Sequence, residues 1–229
     1  MRYQTKLAIA LAILLLPVRA ALAADDLKSV VAELNAAAAK FHSTSADFVA
    51  DNQITEPIPD KEVQTGAVYF DRKGNSFEFG IHFEKDNGRA LPKVIVIKGG
   101  IFTMFEKMAD QVTTSKRAGK YEGYLSLGFG ASGSDLESKW NMTYLGSEMM
   151  NGVKVAKLDL VAKDPEVVKI FTKVTIWIDT ERGVSLKQYF DEGQGQSRTV
   201  VYSNIKVNQS LPVDAFTFKT DSKTQYVNR

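Results

Sequence analysis

Few residues in this 229-residue chain could do covalent chemistry. The only histidines are His42 and His82. His42 closes a helical pattern, where an imidazole suits the negative end of a helix dipole. His82 sits in a strand pattern between Ile81 and Phe83. Both read as structural. No cysteine occurs, which excludes disulfides, thiol catalysis and Cys-ligated metal. Two separated histidines make a poor metal site. The carboxylates lie scattered on turns, without a convincing acid–base pair. Gly128 to Gly133 fits G-x-G-x-x-G, but a dinucleotide site needs a βαβ unit around it, and the flanks read as antiparallel strands. It is taken as a chance match in a flexible loop. Asn141-Met142-Thr143 and Asn208-Gln209-Ser210 fit glycosylation sequons that matter only in a eukaryotic secretory pathway. The expectation is a protein without enzymatic activity, metal or cofactor.

Arg72 is the residue that asks for an explanation. It continues by period two the face carrying Val68 and Phe70, so it points inward unless the strand has already ended. An inward guanidinium needs acceptors such as loop carbonyls or a carboxylate. A solvated turn residue is the other reading.

The elements that would position it follow from periodicity. Arg2 and Lys6 precede an apolar run from Leu7 to Leu16, then Pro17 and a small-x-small site at Ala21-Leu22-Ala23. This is the order of a secretory signal, too short to anchor in a membrane. Cleavage is expected after Ala23, leaving one domain over 24–229 that is soluble in the periplasm. Losing Arg2, Lys6 and Arg19 takes the formal charge from +2 to −1, so nothing electrostatic points to nucleic acid. Leu27, Val30, Val31, Leu34, Ala38 and Phe41 recur at helical spacing and predict an amphipathic helix over 26–41.

From Ser45 the period becomes two. Turn signals at Lys73-Gly74-Asn75, Asp86-Asn87-Gly88, Gly99-Gly100, Asn151-Gly152 and Thr180 to Gly183 separate nine to eleven strands at roughly ten-residue spacing. That predicts a meandering antiparallel sheet curled into an open or closed barrel. Asp164-Pro165-Glu166 starts a short helix from which Val167, Val168, Ile170 and Phe171 would face inward. The Gly-rich stretch 117–139, with Tyr124, Leu125, Leu127 and Phe129, reads as a mobile flap over something apolar.

Two readings of the apolar strand faces stay open. One is an ordinary sheet face packed on the helix. The other is a cavity, because one long helix and one short one can hardly fill a sheet of that size. The expected lining is Val68, Phe70, Phe77, Phe79, Val94, Val96, Val174, Ile176, Ile178 and Leu186.

Several segments together resemble the LolA-type periplasmic lipoprotein carriers. They are Lys40-Phe41-His42 leading into the strand from Ser45, Gly66 to Arg72, Lys93 to Glu106 around its Gly-Gly, Thr175 to Asp179 with Leu186-Lys187-Gln188, and Leu211 to Phe218. The resemblance implies a mainly β fold with a few helices: an open antiparallel barrel of about eleven strands under a helical lid. It implies a monomeric carrier of acylated lipoproteins or other lipids, moving between an inner-membrane transporter and an outer-membrane acceptor. It assigns Arg72 to holding the lid closed, with Tyr124, Leu125, Leu127, Phe129, Val168 and Phe171 as lid residues. Lys73 stands where that family commonly has proline. A sensor module resembling the RseB group is the alternative; such proteins often carry a second domain, and an end near Arg229 favours the carrier. A hydrolase is disfavoured by the missing nucleophile–base pair.

Overall fold

Alternating strands and two-residue turns build one continuous sheet. The computed structural model describes residues 17–74, 76–116 and 127–229, with side chains from Asp26 onward. The strands are β1 (Ser43–Ile54), β2 (Asp60–Lys73), β3 (Ser76–Asp86), β4 (Arg89–Lys98), β5 (Ile101–Glu106), β6 (Gln111–Ser115), β7 (Trp140–Met150), β8 (Val153–Ala162), β9 (Lys173–Asp179), β10 (Val184–Gly193), β11 (Gln196–Val207) and β12 (Gln225–Asn228). The helices are α1 (Pro17–Lys40), α2 (Gly133–Lys139) and α3 (Pro165–Val168).

The sheet order is β12-β6-β5-β4-β3-β2-β1-β11-β10-β9-β8-β7. All pairings are antiparallel except β12 with β6. The two edge strands, β12 and β7, do not pair with each other, so the barrel is open, as expected. The Asn87-Gly88 and Asn151-Gly152 turns carry positive φ at both residues, the geometry that matches the twist of a tight hairpin.

The inner face holds two cores. In the first, Val30 and Leu34 of α1 pack on Leu158 and Leu160 of β8 and on Val174, Ile176 and Ile178 of β9, with Leu136 and Trp140 alongside. In the second, Phe41 meets Phe48, Val68, Phe70, Phe79, Ile97, Val200 and Tyr202. Helix α1 therefore covers the β7–β9 half and only its C-terminal end reaches the other half. Its break after Lys40 is fixed by Asn208. The Asn208 carboxamide accepts from the His42 amide at 2.7 Å and donates to the Lys40 carbonyl at 2.7 Å. One side chain thus satisfies a carbonyl that the helix end leaves free.

A C-terminal strap crosses the outer face of β3–β5. His82 Nε2 lies 3.2 Å from the Ala215 carbonyl, and Phe218 stacks on Phe105 at 5.1 Å. Sequence periodicity finds neither this strap's position nor β12. Gly80 lets the strap approach, since a Cβ there would sit 2.1 Å from the Ala215 oxygen. Gly80→Ala should lift residues 212–218 and cost about 1–3 kcal/mol of stability. Denaturant unfolding and faster amide exchange at Ala215 and Thr217 would report this; unchanged exchange would mean the strap is not seated on Gly80.

Candidate site: an apolar hollow with a fixed cover

Away from α1, the described residues do not fill the inner face. A hollow of about 590 Å³ lies between β1, β2, β3, β5, β10 and β11. Its apolar lining is Phe48, Ala50, Val68, Phe79, Ile81, Phe83, Phe102, Phe190 and Val200 from the strands, with Leu127, Phe129, Val167, Ile170 and Phe171 above. Gln64, Ser115, Gln188, Arg198 and Tyr202 add polar atoms. The volume lies within the roughly 300–1,000 Å³ typical of small-molecule sites. An aliphatic chain there would gain about 0.8 kcal/mol per buried methylene.

The cover is residues 127–130. Phe129 bridges to Val184, with Ser185 N–H donating to the Gly128 carbonyl at 2.8 Å and Gly130 N–H to the Gly183 carbonyl at 2.9 Å. Phe129 is buried against Tyr202 at 5.1 Å, edge to face. The glycines are a packing requirement: a Cβ on Gly130 would strike the Phe41 ring at 2.2 Å, and one on Gly133 the Val31 carbonyl at 2.4 Å. This corrects the reading of Gly128 to Gly133 as a flexible loop. The stretch is pinned between the helix and β10, and Ser132 caps α2 by accepting from the Asp135 amide at 3.0 Å.

Arg72 points inward. It donates from one terminal nitrogen to the Ala38 carbonyl at 2.8 Å and from the other to the Gly130 carbonyl at 2.7 Å. Its amide donates to the His42 carbonyl at 2.8 Å. The guanidinium also lies 5.8 Å from the Phe41 ring centre. Strand, helix end and cover thus share one cation.

A second tie runs through the floor of the hollow. Tyr202 donates to Gln188 Oε1 at 3.0 Å, and Gln188 Nε2 donates to the Leu127 carbonyl at 2.7 Å. Burial pushes the Tyr202 phenol above its ordinary range, so it stays a donor.

The structure places the predicted residues unevenly. Val68, Phe79, Leu127, Phe129 and Phe171 line the hollow. Phe70 and Phe77 stack at 5.1 Å and line a smaller recess of about 320 Å³ beside Arg72 and Gly130. Val174, Ile176 and Ile178 lie sealed beneath α1, outside the hollow. Val94 and Val96 are on the opposite face, because the register sets Ile97 against Phe79 and Ile95 against Ile81. Lys93 to Lys98 is apolar on both faces, so sequence alone does not fix its phase. Leu186 is also turned outward, packing on Val155 and Trp177, because a bulge between Ser185 and Lys187 shifts the phase of β10. Val168 is 36% exposed, and Val167 is the buried residue of α3. Tyr124 and Leu125 lie outside the described residues. Sequence reasoning passed over Val200, Tyr202, Gln188, Phe190 and Phe102. The alternation through β11 could have supplied the first two.

Comparison with known proteins fits this architecture. No family profile matches the chain. An uncharacterized protein of Methanocaldococcus jannaschii is 27% identical over 147 residues, covering 62% of this chain and 41% of that protein. The chain therefore spans less than half of that relative's length. An uncharacterized conserved protein from Thermus thermophilus superposes with a TM-score of 0.56 at 12% identity, covering 89% of this chain and 99% of the other. MucB superposes at 0.53 with 14% identity, covering 89% and 66%. MucB bound to MucA, from Pseudomonas aeruginosa, gives 0.51 at 13% identity, covering 85% and 61%. At these identities the likeness is one of fold: the chain shares its open, curled antiparallel sheet with the Thermus thermophilus protein and with MucB.

Two outcomes test the site. Arg72→Leu should free the cover at a cost of about 2–3 kcal/mol, since hydrogen bonds from charged groups are the stronger ones. Amide exchange at Gly130 and Ser185 should rise sharply while that in β8 and β9 stays slow. The Tyr202 phenol is raised above the unfolded value of about 10. Its share of stability is fully present below about pH 10 and is lost as pH rises through the folded value. Tyr202→Phe should therefore unfold less steeply with alkali than the parent chain, read from unfolding midpoints at about pH 9 and about pH 11.

Proposed function

We propose that this protein is a periplasmic carrier that shelters acyl chains of a lipid or lipoprotein in the β1–β5/β10–β11 hollow and passes them on. In this reading residues 1–23 are a signal removed on export, and 24–229 form one lipid-carrier domain. The observation that carries it is the unfilled apolar cavity of about 590 Å³, lined by seven phenylalanines, on the inner face that α1 leaves uncovered.

The chemistry is physical. A chain entering between Phe48, Phe83 and Phe190 replaces water against apolar wall. Loading asks the cover to shift, and the cover is held by a countable set of bonds from Arg72, Gln188, Gly130 and Ser185. A cover tied by a few hydrogen bonds suits reversible transfer, since binding and release both need that equilibrium to be accessible. No acid–base pair or nucleophile among the described lining residues asks for a reaction.

Transfer separates the carrier from an RseB-like sensor on the same scaffold. Mass spectrometry of protein purified from its native envelope should show bound acyl lipid. The purified protein should also speed movement of a diacylated lipopeptide from donor to acceptor vesicles. Ile81→Trp, which fills the hollow from β3, should lower uptake of a fluorescent alkane at least about tenfold. Uptake without accelerated transfer would favour the sensor. No bound lipid and no uptake would remove the acyl-binding reading altogether.

A further inference from the structure

The hollow has a cation at the end opposite Arg72. Arg198 of β11 lies against Asn52 of β1, whereas Ser43, nine residues earlier on β1, lies against Asp71, the neighbour of Arg72. At about 3.3 Å per strand residue the two arginines sit roughly 30 Å apart along the barrel. They are in different electrostatic situations. Both terminal nitrogens of Arg72 are taken by carbonyls. Arg198 is tied once, by one terminal nitrogen to Glu192 Oε1 at 3.2 Å. Its Nε is shielded from water and has no hydrogen-bond partner. The guanidinium instead lies over aromatic rings, 4.8 Å from the centre of Phe190 and 6.0 Å from that of Phe171. Both rings line the hollow, as does Arg198 itself.

The acidic groups nearby leave this guanidinium available. Glu192 is 30% exposed, so water can take its place at the ion pair. Glu62 lies two strands away, with its carboxylate accepting from Asn52 at 3.4 Å and from Gln64 at 2.9 Å. A guanidinium presents five donors in a planar fork that matches a carboxylate or phosphate. A cation half-shielded by phenylalanine gains more from such a partner than one in open water.

Resting on the acyl-binding reading, we infer that the ligand of this hollow is an amphiphile with an anionic head, its chain among the phenylalanines and its charged group on Arg198. A fatty-acid carboxylate and a lipid phosphate share the chemistry that Arg198 recognises. The fork orients the chain, head toward the β10–β11 hairpin and tail toward Phe129.

The test is a comparison of heads on one tail. Laurate, methyl laurate and dodecyl phosphate would displace a neutral pyrene-labelled alkane from the full mature chain at about pH 8, where the carboxylate is ionised. The anionic ligands should bind at least about tenfold more tightly than the ester, and the advantage should shrink with added salt. Whichever anion binds more tightly identifies the head. Arg198→Gln should bring the acid-to-ester ratio close to one, and Arg198→Lys should keep part of it. Equal binding of acid and ester by the parent protein overturns the inference and leaves the acyl-binding reading standing. So does a preference that survives Arg198→Gln. Failure of all three ligands to displace the alkane, or of the alkane to bind, overturns the acyl-binding reading itself.

Discussion

A curled sheet of twelve strands has more inner face than the described helices can cover, and the rest of the structure follows from that mismatch. Helix α1 spends its apolar stripe on β8 and β9, where Leu34, Leu158, Leu160, Val174 and Ile176 are wholly buried. Helix α3 is four residues long and α2 is seven, so neither extends far over β1–β5. What remains is a wall of phenylalanine and aliphatic side chains with an open space above it. Close-packed interiors normally leave few voids larger than a water molecule. Among the described residues, a hollow of about 590 Å³ is a departure from that rule, kept by the walls around it rather than by filling.

Those walls are held by polar groups aimed at backbone. Arg72 serves the C-terminal end of α1 and the cover at once, Asn208 closes the turn from α1 into β1, and Gln188 holds Leu127 from below. Together they supply donors to the Gly130, Lys40 and Leu127 carbonyls and a second donor to that of Ala38, and in the buried part of the site an unmet polar group would be costly. The same arrangement explains why the cover is rich in glycine. Gly128, Gly130 and Gly133 bring the backbone close enough to Ser185, Phe41 and Val31 for the bonds to form. The match to a dinucleotide motif is a by-product of that close approach.

Much of the fold was legible in the residues. Alternation gave the strands, Asn-Gly and Gly-Gly pairs gave the hairpins, and helical spacing gave α1. The site was legible only where one face of a strand was apolar and the other polar, as in Val68-Tyr69-Phe70 and Phe77 to Phe83. Where both faces are apolar, as in β4, period two carries no phase, and Val94 and Val96 fell on the outer face. A bulge reversed Leu186. Val174, Ile176 and Ile178 do face inward but are covered, because which half of a sheet a helix occupies is decided by tertiary packing. The same limit hid the C-terminal strap. Its seat is Gly80, and a glycine in a strand announces a close approach without naming what approaches.

The inner face thus grades from one end to the other. Near Arg72 the guanidinium is paired within the chain and a backbone cover crosses the space. Near Arg198 the pairing is partial, the guanidinium leans on aromatic rings, and the charged partner is partly in water. Apolar attraction has no direction, so an aliphatic chain alone would slide within such a trough. Orientation has to come from polar groups at its ends. Here both terminal nitrogens at the closed end already donate to the protein's own carbonyls, whereas at the far end one terminal nitrogen is paired and Nε has no partner. In the reading proposed above, a trough built this way would hold a tail by area and a head by charge, keeping separate the bonds that shut it from the bonds that sort what enters.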